Sequence, residues 1–319
     1  MTPPCTGAAR LSTVGLADTL PDVVDRIGNT PLIKTRRIRP EGDVQLLLKA
    51  EWFNPGGSVK DRPARQIILD AEASGALTPG KIILDASSGN TGIAYAMIGA
   101  SRGYPVEICL PSNASQERQQ LLQIYGAHVI KTDPMEGTDG AIKEARRRVA
   151  AEPDKYFYAD QYSNDSNWRA HYLTTGVELW EQTCGQITHF VAGLGTSGTL
   201  MGTGRRLKEF NPEIELVAVQ PDSPYHGLEG LKHMETAMVP SIYDAGLPTR
   251  FEEQETEEAF DMAKRLAREE GLLLGVSGAG VFATALRVAN ELDHGVVVAM
   301  MPDSGTRYLS DRFWYEDDY

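Results

Sequence analysis

The chain has 319 residues, with 31 Lys plus Arg against 44 Asp plus Glu and a formal net charge of −13. That length allows two domains of ordinary size or one large α/β unit, and the acidic balance opposes a nucleic-acid backbone or an anionic membrane surface as partner, which favours a small molecule. Cys5, Cys109 and Cys184 are far apart and give neither a disulfide framework nor a metal spacing, and with no secretory leader and no apolar run of membrane-spanning length a soluble, cytoplasmic protein is expected.

Residues 1–19, rich in Thr, Pro, Ala and Gly, read as a flexible N-terminal arm. Residues 27–33 turn into a strand and 44–50 form another. The next stretch, Asn54-Pro55-Gly56-Gly57-Ser58-Val59-Lys60-Asp61-Arg62, combines a loop with a helix start. Pro55, Gly56 and Gly57 mark the loop, and Ser58 with Asp61 fits a capping box ahead of Ile67, Ile68 and Ala71. Lys60 then falls in the first helical turn, where unpaired N–H groups and the positive end of the dipole disfavour its charged form. It is either a nucleophilic amine or a solvated lysine beside Asp61 and Arg62.

From there strands and helices alternate. Helices at 59–74, 91–102, 116–125 and 138–151 separate strands at 81–86, 106–110 and 129–132. The aromatic and polar segment 156–167 marks a domain boundary. A second series has helices at 172–184, 199–210, 255–270 and 279–292, strands at 189–194, 215–219, 272–276 and 295–301, and an irregular segment at 220–248. Short apolar strands between amphipathic helices imply parallel sheets covered on both faces. The fold class is therefore α/β, with two doubly wound domains.

In such sheets ligands bind beyond the carboxyl ends of strands. Ser87-Ser88-Gly89-Asn90-Thr91-Gly92 lies at one strand end; it is either an ordinary helix cap or an anion site for a carboxylate, with Asn90 able to donate to a phenolate-type oxygen. Gly193-Leu194-Gly195-Thr196-Ser197-Gly198-Thr199 lies at another. Its glycines, hydroxyls and lack of acids suit a terminal phosphate, while the match of Gly193–Gly198 to G-x-G-x-x-G keeps a dinucleotide-binding oxidoreductase as the rival. Ser277 in Gly275-Val276-Ser277-Gly278 reads alone as a helix cap, and 302–310 as a closing turn without chemistry. No hydrolase, Walker or zinc-protease pattern occurs, and the six histidines show no ligand spacing, so no metal is expected.

A reactive lysine, a phosphate loop and a carboxylate loop in one α/β chain call for a cofactor with an aldehyde and a phosphate, pyridoxal 5'-phosphate. The segments Ile27-Gly28-Asn29-Thr30-Pro31-Leu32, Asn54–Arg62, Ser87–Gly92, Gly195–Thr199 and Arg307-Tyr308-Leu309-Ser310 resemble, in order, those of the cysteine synthase (O-acetylserine sulfhydrylase) and cystathionine β-synthase family. The resemblance runs from about residue 25 to 312. It implies the fold-type-II architecture of pyridoxal-phosphate enzymes, similar to tryptophan synthase β. A smaller mobile domain at 54–160 would close on a larger cofactor-binding domain made of 20–53 plus 161–319, usually within a homodimer.

Carried over by position, the resemblance implies that Lys60 forms the internal Schiff base and Asn90 contacts the ring hydroxyl. Gly195, Thr196, Ser197, Gly198 and Thr199 would hold the phosphate, and Ser277 would face the pyridine nitrogen. Ser87, Ser88, Gly89, Thr91 and Gln161 would hold the substrate carboxylate. The implied reaction is β-replacement on O-acetylserine or O-phosphoserine by a sulfur donor, through an aminoacrylate, to give L-cysteine; cystathionine β-synthase-type replacement is the nearest alternative. Lys232 stands where some B-type cysteine synthases carry a basic residue that meets an anionic leaving group or sulfur donor, and a solvated loop lysine is the other reading. Gly278 departs from the family's common second Ser or Thr.

Overall fold

A computed structural model describes residues 20–87 and 89–316. The arm expected at 1–19 and the candidate ligand Ser88 lie outside the described residues. In chain order the strands are β1 (Leu32–Lys34), β2 (Asp43–Ala50), β3 (Ile82–Ala86), β4 (Val106–Pro111), β5 (His128–Thr132), β6 (Tyr156–Tyr158), β7 (His189–Gly193), β8 (Glu215–Pro221), β9 (Arg250–Gln254) and β10 (His294–Met301). The helices are α1 (Asp61–Ser74), α2 (Asn90–Arg102), α3 (Gln116–Ile124), α4 (Gly137–Ala151), α5 (Ser166–Leu173), α6 (Thr175–Gln182), α7 (Gly198–Phe210), α8 (Thr256–Arg265) and α9 (Val276–Asn290).

The strands form two sheets, ordered β1-β2-β10-β7-β8-β9 and β5-β4-β3-β6. Every pairing is parallel except that of β1 with β2. Side chains of a strand alternate between faces, so the continuous apolar run of β10 fills two layers at once. Val297, Ala299 and Met301 join Leu46 and Leu48 on one face, while Val296, Val298 and Met300 join Leu47 on the other. The smaller sheet is covered in the same way, with Ile83, Ile108 and Ile67 on one side and Leu84, Cys109 and Ile142 on the other. These parallel sheets, buried on both faces, are the doubly wound arrangement the alternation implied.

Three segments differ from the sequence reading. The helix expected at 172–184 is two helices, α5 and α6, broken at Thr174 (φ −123°, ψ −69°). There the threonine Oγ1 donates to the Ala170 carbonyl at 2.6 Å and accepts from Arg62, so the side chain competes with the helix. The strand expected at 272–276 is absent: Leu274 makes a single bridge to Ser304 and Val276 already opens α9. Between the irregular segment expected at 220–248 and the helix expected from 255, the charged segment Arg250–Gln254, assigned no element from sequence, is the edge strand of the larger sheet, where charge is tolerated because one side of the strand meets water.

Candidate active site

The loops beyond the carboxyl ends of β3, β7 and β10 meet around one cavity of about 810 Å³, within the range of small-molecule sites. Lys60 lines it. The expected capping box does not form: Lys60 is itself the N-cap of α1 and no side chain caps that helix. Ser58 Oγ instead accepts from the Lys60 N–H at 3.2 Å, and Asp61 turns back to accept from the Gly56 N–H at 2.5 Å.

The turn is tied at both ends. Asn54 Nδ2 donates to Glu51 and to the Ser58 carbonyl, and its Oδ1 accepts from the Gly28 N–H. The Val59 N–H donates to the Pro302 carbonyl at 2.8 Å, which stitches the segment to the end of β10. The backbone of Lys60 is thus fixed, and its Nζ has no hydrogen-bond partner among the described residues. Burial lowers the Lys60 pKa, and the negative charge of Asp303 opposes that shift only in part. We expect this amine in the apoenzyme to titrate below an ordinary lysine. Competitive labelling with acetic anhydride across pH, read by mass spectrometry, checks this; a normal lysine titration would contradict it.

The phosphate candidate is built from unpaired donors. Among the described residues, the N–H groups of Thr196 to Leu200 find no acceptor on the backbone, since they precede the first internal bond of α7. Ser197 has φ +68°, and its buried Oγ has no partner among the described residues. Gly195 is required by space: a Cβ there would lie 2.3 Å from the Gly230 carbonyl oxygen. Unpaired buried donors cost free energy until an acceptor arrives, and a phosphate dianion at a helix N-terminus supplies several. Thr196, Thr199 and Ser277 also line the cavity, so the residues present fit the cofactor.

Asn90 faces the same space. Its Nδ2 donates to Asp303 Oδ2 at 2.6 Å and its Oδ1 accepts from Arg307, which leaves one Nδ2 hydrogen for a guest. Asp303, 1 % exposed, also accepts from the Tyr308 hydroxyl at 2.7 Å. The segment 302–310, read from sequence as a closing turn without chemistry, therefore puts Asp303 and Tyr308 into the cavity wall.

In the carboxylate candidate, Ser87 Oγ accepts from the Gly89 and Gly92 N–H groups at 3.1 and 3.0 Å. Thr91 Oγ1 donates to Gln161 Oε1 at 2.7 Å, and Gln161 Nε2 donates to the Ala86 carbonyl. Ser87, Gly89, Thr91 and Gln161 all line the cavity, as does Lys232. Lys232 is half-buried, with Nζ 3.3 Å from the Met238 carbonyl oxygen and 5.0 Å from the centre of the Tyr162 ring. Burial lowers its pKa, and Asp139 opposes the shift.

Sequence reasoning missed several neighbours. Asp303 follows a strand end, so the rule that found the other loops would have found it. Arg118, 2 % exposed, pairs with Glu229 and lies 4.7 Å from the centre of the Tyr308 ring; that pairing joins segments 111 residues apart and has no local signature. His171 and Asn167 reach Thr199 and Thr196 of the phosphate candidate from α5.

A family model described as "Pyridoxal-phosphate dependent enzyme" matches residues 23–303. The chain is 47% identical over 303 residues to the cysteine synthase of Aquifex aeolicus, covering 93% of each chain. It is 43% identical to cysteine synthase B of Pseudomonas aeruginosa, covering 91% of this chain and 96% of that protein. Among solved structures, O-ureido-L-serine synthase superposes with a TM-score of 0.88 at 36% identity, over 94% of this chain and 96% of that one. The dinucleotide reading of Gly193–Gly198 is not favoured by any of these matches. Lys60 and the loops that follow β3 and β7 meet in one cavity of a chain that belongs to the pyridoxal-phosphate dependent enzymes.

Proposed function

We propose that the protein is a pyridoxal-phosphate-dependent cysteine synthase, replacing the β-substituent of an activated serine with sulfur to form L-cysteine. The observation that carries the reading is the convergence on one cavity of Lys60, whose pKa burial lowers, of Gly195, Thr196 and Thr199 from the donor-rich turn after β7, and of Ser87, Gly89, Asn90 and Thr91 from the polar turn after β3. Bound pyridoxal phosphate supplies an electron sink for the carbon skeleton of the amino acid joined to it.

The chain's own residues do the rest. Thr196, Ser197, Thr199 and the backbone of Gly195 and Gly198 bind the phosphate, Asn90 orients the ring through its hydroxyl, and Ser277 meets the ring nitrogen. A serine there does not force that nitrogen to stay protonated. Ser87, Gly89, Thr91 and Gln161 take the substrate carboxylate, with Ser88 in the same role by position. Lys60 Nζ, whose charged form burial disfavours, takes the Cα proton. The smaller sheet supplies the carboxylate site and the larger the phosphate site, which supports division into a mobile part at 54–160 and a larger part made of 20–53 plus 161–319. A homodimer rests on the resemblance and a cytoplasmic location on the sequence reading; no described helix is long and apolar enough to cross a membrane.

Spectral titration of the holoenzyme with O-acetylserine, O-phosphoserine and serine in turn tests the reaction class. A visible absorption change with an ester is expected, and none with any of the three would overturn the reading. Lys232 is assigned to the anionic group of the substrate or sulfur donor. Lys232→Ala should raise the KM for O-phosphoserine about tenfold, as for one lost charge-assisted hydrogen bond, with little effect on O-acetylserine; an unchanged ratio of the two removes Lys232 from the site.

A further inference from the structure

Helix α5 lies directly behind the phosphate loop. Two of its residues, one turn apart on one face, touch that loop. Asn167 is 1 % exposed and its Nδ2 donates to Thr196 Oγ1 at 3.2 Å and to the Gln161 carbonyl at 2.6 Å. His171 is 1 % exposed, with Nε2 3.3 Å from Thr199 Oγ1 and Nδ1 2.9 Å from Thr175 Oγ1. The close approach needs missing side chains on α7. A Cβ on Gly198 would lie 2.0 Å from Asn167 Oδ1, and one on Gly202 would lie 1.9 Å from the Trp168 carbonyl oxygen.

A hydroxyl has one hydrogen and two acceptor positions. Once Thr196 Oγ1 accepts from Asn167, its single O–H is left to donate, and the cavity lies beside it. A phosphate dianion has only acceptors to offer, so this polarity is the useful one. The Nε2–H tautomer of His171 would set Thr199 in the same sense. Burial first, and the nearby charge of Arg62 second, push the His171 pKa down to about 3, so the ring is neutral and can adopt that tautomer.

Asn167 also reaches the other loop. The Gln161 carbonyl accepts from Asn167, the Gln161 N–H donates to buried Asp85 at 3.2 Å, and the Gln161 side chain accepts from Thr91. A continuous path of hydrogen bonds, Thr196–Asn167–Gln161–Thr91, therefore connects the two loops. We propose that Asn167 is a positioning residue that fixes Thr196 as a donor to the cofactor phosphate and couples phosphate binding to substrate-carboxylate binding. This rests on the assignment of 195–199 to the phosphate given above.

The test is a double-mutant cycle on resolved enzyme, with the dissociation constant of pyridoxal phosphate measured by fluorescence titration. Asn167→Ala and Thr196→Val should each weaken the cofactor about tenfold, the size of one lost hydrogen bond. Together they should weaken it no more than either alone, because the asparagine acts through the threonine. At saturating cofactor, Asn167→Ala should also raise the O-acetylserine concentration for half-maximal spectral change severalfold, since coupling is reciprocal. Additive losses, or a weakened cofactor with an unchanged substrate midpoint, would overturn the coupling role. An unchanged cofactor constant in Thr196→Val would overturn the phosphate assignment itself. If Asn167→Ala does not fold, Asn167→Asp replaces the donor with an acceptor of the same shape and should weaken the cofactor more than tenfold; affinity within twofold of wild type overturns the proposal.

Discussion

Lys60→Ala is expected to abolish cysteine formation without unfolding the protein. Loss of a positioned general base alone lowers turnover by roughly 10²- to 10⁴-fold, and the same substitution removes the amine that anchors the cofactor, so the loss of kcat should reach the upper end of that range. Stability should move the other way. Lys60 is half-buried and burial lowers its pKa, so the folded chain disfavours the charged amine that the unfolded chain carries at neutral pH. The apo form of the variant should therefore melt at or above the temperature of the wild-type apo form. Turnover within tenfold of wild type, measured with O-acetylserine and sulfide, would contradict the assignment, and a lower melting temperature would contradict the account of the amine. This is the stability–activity opposition expected at a strained functional group.

The second large effect is purely structural. Arg62, two residues beyond Lys60, grips both oxygens of Glu51 at 2.7 and 2.9 Å and both oxygens of Glu178 at 2.6 and 2.7 Å. Lys49, which is fully buried, completes the set through Glu178 at 2.6 Å and the Thr30 carbonyl at 2.7 Å. Two cations thus face two carboxylates in the interior. Arg62→Ala would leave Glu51 and Glu178 underpaired there, and removal of one partner from a buried ion pair costs about 3 to 5 kcal/mol. Urea denaturation should show that loss, together with weaker cofactor binding, because the same network holds the start of α1. A change below about 1 kcal/mol, the range of exposed pairs, would show that the network is not held as described.

The same network makes a pH prediction. Burial tends to raise the Glu178 pKa, yet the hydrogen bonds and charge of Arg62 hold it down at about 2, below its usual 4.5. In the folded state the carboxylate therefore resists protonation. Its stabilisation is present above pH 4.5 and is lost as pH falls through 2. The buried carboxyls Asp61 and Asp85 run oppositely, since burial pushes both up to about 7, and they destabilise as pH rises from about 4 to 7. The difference in unfolding free energy between wild type and Arg62→Ala should cancel most of the aspartate contribution and shrink between pH 4.5 and 2. A difference constant over that interval would count against the network.

The sequence by itself determined a good deal here. Alternation of short apolar strands with amphipathic helices is a local, periodic property, so the parallel doubly wound class was legible, as were the glycine- and hydroxyl-rich turns at 87–92 and 193–199. Lys60 stood out because loop and helix-start chemistry meet around it. What remained hidden depends on which distant segments become neighbours. Asp61 serves the Gly56 N–H rather than a helix cap because the loop folds back on it, and the strand expected at 272–276 dissolves because α9 begins inside it. Asp303 sits just past a strand end and was open to the same rule as the other loops, whereas Arg118, Asn167 and His171 carry no local pattern that marks them. The partners that bring them to the site, Asn90, Glu229, Thr196 and Thr199, lie between 28 and 213 residues away. Burial sets the protonation of Lys60 and His171, and burial is a property of the packed chain. Chemistry written in turns and periodicities is readable one residue after another, whereas charge state and pairing are decided only when the two sheets close around a common cavity.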